Sequence, residues 1–160
     1  MSQVFACEFP DHLWFDVERD VWIESLPSGI LRIGMTDPAQ TRAGKILHVR
    51  GRPGKAVKAG KNVATIESAK WVGPFPAPVD GTVVRVNEIV LSDPNMINRD
   101  PYGEGWVAEL QPGSEWLSPH LIKGSDVAAI YREKLQEEGI TCMRCAPIEE
   151  TTTSDSDDDL

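Results

Sequence analysis

Long apolar runs are missing from this chain. No stretch approaches the ~20 residues that a membrane-spanning helix requires, so the sequence predicts no membrane association. The N-terminus, Met1-Ser2-Gln3-Val4-Phe5, lacks both a basic region and an apolar stretch, which argues against a signal peptide and for a cytoplasmic location. Cysteine is scarce too. Three in 160 residues are too few to suggest a disulfide framework: Cys7 stands alone, while Cys142 and Cys145 form a C-x-x-C pair near the C-terminus. There is also no basic surplus. The chain holds 16 Lys and Arg against 25 Asp and Glu, a net charge of −9. Six of those acids (Glu149, Glu150, Asp155, Asp157, Asp158, Asp159) follow residue 148; the remaining 19 against 16 cations give residues 1–148 a charge of −3. Nucleic-acid binding is driven by phosphate neutralisation, and nothing here supplies it.

What is present reads as one soluble globular domain, 41% hydrophobic and 26% charged. Residues 1–20 form an N-terminal lead-in with scattered aromatics (Phe5, Phe9, Trp14, Phe15). Residues 21–120 carry short β-rich runs: Val21–Ser25, Ile30–Met35, Ile46–Val49, Val63–Ile66, Val83–Val86 and, more weakly, Val107–Leu110. Turn signals at Arg52-Pro53-Gly54, Ala59-Gly60-Lys61-Asn62 and Val79-Asp80-Gly81 separate them. Thr36 or Asp37 can cap a short helix with Pro38 in its first turn. Dense short strands predict a mostly β barrel or sandwich. Gly44–Val49 and Gly81–Val86 repeat one pattern at an offset of 37 residues, as two related halves would. Within residues 121–140, apolar positions 127, 130, 131 and 135 fall on one helical face, with Ser125 as a cap and Gly139 as a stop. Residues 141–160 hold the C-x-x-C pair and an acidic, aromatic-free tail expected to be disordered.

The informative segment runs from Val63 to Gly81. A strand leads into Glu67-Ser68-Ala69-Lys70, three prolines (Pro74, Pro76, Pro78) interrupt, and a further strand leaves from Gly81. That pattern puts Lys70 at or near the tip of a β-turn, exposed and far from the core. Spacing alone does not distinguish it from any surface lysine.

The wider pattern does. In order along the chain stand Asp11-His12-Leu13-Trp14, Ile33-Gly34-Met35-Thr36-Asp37-Pro38-Ala39-Gln40, Glu67-Ser68-Ala69-Lys70, Pro78-Val79-Asp80-Gly81 with Val86-Asn87-Glu88, then Pro94 with Ile97-Asn98, and Pro101-Tyr102-Gly103-Glu104-Gly105-Trp106. This set resembles the H-protein family of the glycine cleavage system, carriers of the biotinyl/lipoyl-attachment fold. The resemblance implies a flattened β-sandwich of two related halves with a C-terminal helix. It also implies lipoic acid in amide linkage to Lys70, attached by a lipoate ligase or lipoyl transferase, with Glu67 helping that enzyme recognise the hairpin. The protein would then be a carrier and not a catalyst, since the arm holds the intermediate while partner enzymes do the chemistry. Tethering keeps the cargo at high effective concentration beside each partner. Biotin, the other modification of this fold, typically follows methionines on both sides of the lysine; Lys70 has Ala69 and Trp71.

Two stretches depart from the glycine carriers. Val49-Arg50-Gly51-Arg52-Pro53-Gly54-Lys55, with Lys58 and Lys61 beyond it, is basic where those carriers have an acidic loop, and Trp71-Val72-Gly73-Pro74 replaces a small, polar sequence after the lysine. Charge reversal near the hairpin would change which enzyme surfaces the carrier can approach. These departures resemble a second branch of the fold, lipoate-binding proteins linked to sulfur-oxidising heterodisulfide-reductase-like complexes. On that resemblance the arm carries sulfur, and the partners are such a complex and dihydrolipoamide dehydrogenase. The alternative is an aminomethyl cargo passed between glycine decarboxylase and aminomethyltransferase. Cys142 and Cys145 are candidates for thiol exchange with a dihydrolipoyl dithiol. A metal site has too few further ligands among Cys7, His12, His48 and His120.

Overall fold

The computed structural model describes residues 1–144; Cys145 and the acidic tail at 149–160 lie outside the described residues. The chain opens with a hairpin of β1 (Ser2–Val4) and β2 (Cys7–Phe9), followed by β3 (Trp14–Asp16), β4 (Val21–Ser25) and β5 (Leu31–Met35). Helix α1 (Asp37–Ala43) leads to β6 (Ile46–Gly51), β7 (Ala56–Val57), β8 (Asn62–Ser68), β9 (Val72–Pro76) and β10 (Gly81–Val86). Two short helices, α2 (Glu88–Ser92) and α3 (Met96–Arg99), precede β11 (Ala108–Pro112), β12 (Leu121–Lys123) and the terminal helix α4 (Ala128–Glu138). The architecture is mostly β with a C-terminal helix, as the sequence predicts.

All strand pairs are antiparallel. Strands β12-β3-β4-β5-β11-β10-β7 form one sheet, β6-β8-β9 a second, and β1-β2 a separate ribbon. The side chains between the two larger sheets make the main core: Ile23, Leu31 and Ile33 on one side, Ile46, Ile66 and Phe75 on the other, all 2% exposed or less. The repeat at an offset of 37 residues has a structural counterpart. Ile46 pairs with Ser68 and His48 with Glu67, skipping Leu47; Val83 pairs with Leu110 and Arg85 with Glu109, skipping Val84. The two runs therefore bulge at the same repeat position and present an exposed apolar residue there.

A second core lies on the outer face of the large sheet. In β4, Val21 and Ile23 enter the main core while Trp22 points the other way, so all three are buried by the simple alternation of a strand. Gly34 makes this feasible, because a Cβ there would sit 2.6 Å from the Trp22 indole. Phe9 stacks on Tyr131 at 4.4 Å between ring centroids, and Phe15 meets both rings edge-on. Tyr131 and Leu135 bring α4 onto this layer. Ile130, expected on the same buried face, is instead exposed, because only positions 127, 131 and 135 keep the i, i+4 line that meets the aromatics. Gly139 ends the helix in the left-handed conformation as expected. Ser125 does not cap it: it sits within a 3-10 turn, Gly124–Asp126, and α4 starts after Val127.

Two cysteine expectations are corrected. Cys7 does not stand alone; it forms a disulfide with Cys142, 135 positions away, with Cα atoms 4.8 Å apart. Cys142 is therefore half of a cross-link to β2 and not a reduced thiol poised beside Cys145. Residues 141–144 do not start a free tail either. The Cys142 amide donates to the Phe5 carbonyl, the Met143 carbonyl accepts from Gln40 and Thr41, and Arg144 ion-pairs with Asp37 and Glu8. This strap ties the N-terminal ribbon to α1. It spans a turn in which Phe5 and Ala6 both have positive φ, a conformation more usual for Asn-Gly.

Candidate functional site

Lys70 stands at the tip of the β8–β9 hairpin. β8 ends at Ser68 and β9 begins at Val72, so Ala69, Lys70 and Trp71 form the turn, and all three are exposed. Ser68 holds it: its amide and hydroxyl both donate to the Trp71 carbonyl, at 2.7 and 3.3 Å, while its oxygen accepts from the Lys70 amide at 3.3 Å. Ser68 is itself buried, so this polar brace is shielded from competing water.

The lysine stem lies across the end of α1. Thr36 caps that helix by accepting from the Ala39 amide, and Gly44 ends it with φ 77° and ψ −164°, a region that is essentially glycine's alone. A Cβ at Gly44 would fall 2.9 Å from Lys70 Cε. The fully buried Asn98 fixes this corner. Its amide nitrogen donates to the Gly44 carbonyl (2.8 Å) and to Gln40 Oε1 (3.0 Å), and its oxygen accepts from the Ile46 amide (2.9 Å). Asn98 thereby joins α1, β6 and α3 beneath the hairpin.

Beside Lys70 opens a cleft of about 460 Å³. Met35, Ala39, Ala43, Ile66 and Phe75 give it apolar walls, and Arg19, Asp20 and Arg42 line its polar end. Asp20 adopts φ 58°, and its carboxylate takes the Tyr131 hydroxyl, Lys134 and Arg42. Burial pulls the Arg42 guanidinium down, but Asp20 and Glu138 outweigh it and hold its pKa above the ordinary arginine value. Burial pushes the Tyr131 hydroxyl well up, with the Asp20 charge adding to it, so it remains a donor. Local spacing does not announce Arg19, Asp20 and Arg42 as a group, because Arg42 of α1 meets the β3–β4 connection only through tertiary packing.

Glu67 is half-buried on β8, opposite His48 and Val72, with Arg50 at 3.7 Å. Trp71 lines the cleft mouth and stays 41% exposed. The basic loop, however, does not border the hairpin. The register pairs Ile46 with Ser68 at the Lys70 end and Gly51 with Ala64 toward the other, so Arg52 to Lys55 lie at the opposite end of this sheet. Among the described residues no cluster of His, Cys, Asp and Glu could hold a metal ion. No described helix is long and apolar enough to cross a membrane.

The hairpin and cleft accommodate an acylated lysine: the amine is free of ion-pair partners among the described residues, and an apolar trough lies beside it. Residues 13–134 match the family described as Glycine cleavage H-protein. A relative from Aquifex aeolicus, "Glycine cleavage system H protein 3", is 44% identical over 145 residues, covering 88% of this chain and 90% of that one. "Probable glycine cleavage system H protein 2" of Sulfolobus acidocaldarius is 41% identical, covering 86% and 95%. The crystal structure of a glycine cleavage system H protein from Mycobacterium marinum superposes with a TM-score of 0.65 at 29% identity, over 82% of this chain and 99% of that one.

Proposed function

The chain belongs to the glycine cleavage H-protein family, and from that premise we propose that it is a lipoyl carrier whose arm is attached at Lys70. Glycine cleavage H proteins carry a covalently attached lipoate on a lysine, and they are carriers rather than catalysts. The observation that carries the assignment to Lys70 is the Ser68-braced hairpin tip, which presents the lysine of Glu67-Ser68-Ala69-Lys70 at an exposed turn beside an apolar cleft. The group supplies, once bound, a dithiolane that can be opened, loaded on sulfur and closed again.

The chain's own residues do the positioning. Ser68 and the Asn98 corner fix where the lysine stem leaves the surface, and Gly44 leaves room for it. Acylation makes Nζ neutral, so the stem can lie along Met35, Ile66 and Phe75 without bringing an unpaired charge against them. Glu67, beside the tip, serves recognition by the ligase or transferase that attaches the arm.

The relatives' names favour glycine cleavage over the sulfur cargo expected from the departures in sequence. The cargo is then an aminomethyl group, with glycine decarboxylase and aminomethyltransferase as partners. The sulfur reading, with a heterodisulfide-reductase-like complex, stands second on one observation: Trp71 at the cleft mouth, within Lys70-Trp71-Val72-Gly73-Pro74.

Protein made with lipoate and a cognate ligase should gain one lipoyl group, mapped to Lys70 by peptide mass analysis. Modification persisting in Lys70→Arg would overturn the attachment site. Glycine–bicarbonate exchange with purified partners, run beside persulfide detection on the reduced arm, separates the two cargoes: exchange without sulfur loading supports glycine cleavage, and the reverse supports sulfur transfer.

A further inference from the structure

Charge is distributed unevenly over this protein. Residues 50–61 hold five cations (Arg50, Arg52, Lys55, Lys58, Lys61) and no acid, whereas the rest of residues 1–148 holds eleven cations against nineteen acids. The fold gathers Arg50, Arg52 and Lys55 at one groove. Arg50 lies in the last two residues of β6, Arg52 and Lys55 flank the turn into β7, and Lys58 and Lys61 flank the turn into β8. Their charge is poorly compensated. The acidic contacts among described residues are Arg50 to Glu67 at 3.7 Å and Lys58 to Asp80 at 3.9 Å, both long and between exposed groups that are worth little in water. Lys55 Nζ donates to the Asn62 carbonyl, a neutral acceptor.

Three of these cations, Arg50, Arg52 and Lys55, line a groove of about 560 Å³ together with Asn62 to Thr65 of the central strand β8 and the exposed Leu91 of α2. Asn62 Oδ1 at this groove is buried without a hydrogen-bond partner among the described residues. The groove lies at the start of β8 and Lys70 lies past its end. Six residue steps, about 20 Å along one strand, run from Asn62 to Ser68, and the groove's lining ends at Thr65, about 10 Å short of Ser68.

We propose that this basic groove is a docking surface for an acidic face of the enzyme that loads the arm, separate from the hairpin that the enzyme's active site must receive. This rests on the carrier reading above. Physical separation is the reason for the arrangement: contact at the far end of a rigid three-stranded sheet orients the partner while the tip stays unencumbered. A localised cluster of like charge also raises encounter rates with an acidic surface, in a salt-dependent way. The body's net acidity disfavours nucleic acid, and the acid-rich remainder of the chain repels a partner approaching from other sides.

The test uses the full-length lipoylated protein and the double variant Arg52→Glu/Lys55→Glu, with Arg132→Glu on the exposed face of α4 as a charge-reversal control. In loading by glycine decarboxylase at about 50 mM salt, the double variant should raise KM roughly tenfold with kcat unchanged, and the difference should vanish near 0.5 M salt, where the Debye length is only a few ångströms. The control should match wild type. Equal KM values for all three proteins would overturn the proposal. Should the unaltered protein not be loaded by that enzyme at all, the glycine-cleavage reading fails separately, and backbone amide shifts on titration with poly-L-glutamate decide the groove. Shifts confined to residues 50–65 and 91, lost in the double variant, support it. Shifts spread over the surface, tighter binding of duplex DNA, or groove shifts seen only after residues 149–160 are deleted would overturn it, the last by identifying the chain's own acidic tail as the occupant.

Discussion

The two ends of α1 belong to differently built parts of the molecule. At its C-terminal end, Gly44 and the Lys70 hairpin are held by few contacts: one serine brace, one buried asparagine and a lysine stem lying over a bare glycine. At its N-terminal end, Asp37 is buried among the Glu8 amide, Gln40 and Arg144, and the Tyr102 hydroxyl accepts from the Asp37 amide. A disulfide closes over that cluster. Burial raises the Tyr102 hydroxyl well above the ordinary tyrosine range, partly offset by that backbone contact, so it stays protonated. The difference shows where stability and access are kept apart. A carrier must offer its lysine to several enzymes, so the tip is thinly held, and the aromatic layer and strap on the far side supply the rigidity.

The sharpest way to break this comparison is at the strap. Replacing both cysteines, Cys7→Ala/Cys142→Ala, opens a loop spanning 135 positions and should cost about 3–5 kcal/mol in global stability by denaturant titration. Lipoylation of the folded protein should be unchanged. A parallel loss of lipoylation under native conditions would mean that the two ends are coupled through α1.

Gly44→Ala attacks the other end. The non-glycine penalty of its backbone conformation is about 1–3 kcal/mol, and the added Cβ crowds Lys70 Cε. Stability should fall by that amount while the attachment enzyme's KM rises; loss of stability alone would show that the lysine stem simply swings aside. Ser68→Ala is milder. Losing its hydroxyl contacts should cost about 1 kcal/mol and increase hydrogen exchange at the Lys70 amide, with no change at Cys142.

An effect of the same size as that of Ser68→Ala is pH-linked and lies in neither end. Burial raises the Glu109 carboxyl, but hydrogen bonds and charge from Arg32 and Arg85 outweigh this and bring it below its ordinary value of 4.5. A depressed carboxylate contributes stability that is present above its unfolded pKa and is lost as pH falls through the folded one. Glu109→Gln should therefore lower stability by about 1 kcal/mol at pH 7, since both arginines are partly solvated. Melting curves of mutant and wild type should converge as pH falls through the folded Glu109 pKa, below 4.5. A constant gap across that range would assign the effect to packing.

Much of this was legible in the residues themselves. Alternation and turn chemistry marked β4, β5, β6, β8 and β10, while the two-residue β7 and the proline-bearing β9 carry no such signal; Thr36 and Gly139 marked helix ends, and the Gly44 and Gly81 repeats marked related runs that bulge at the same position. The order Glu67-Ser68-Ala69-Lys70 marked the hairpin. These are local properties, set by backbone preference and side-chain period within a few positions. Contacts between distant positions were not legible: Cys7 with Cys142, Asn98 with Gly44, Tyr131 with Asp20. The basic loop illustrates the same divide, since its composition was plain but its distance from Lys70 follows from the β6–β8 register. Sequence by itself determined the elements and the chemistry each could offer. Tertiary structure alone decided which of them meet, because that choice depends on burying two faces of one sheet at once, and no short stretch of chain contains both.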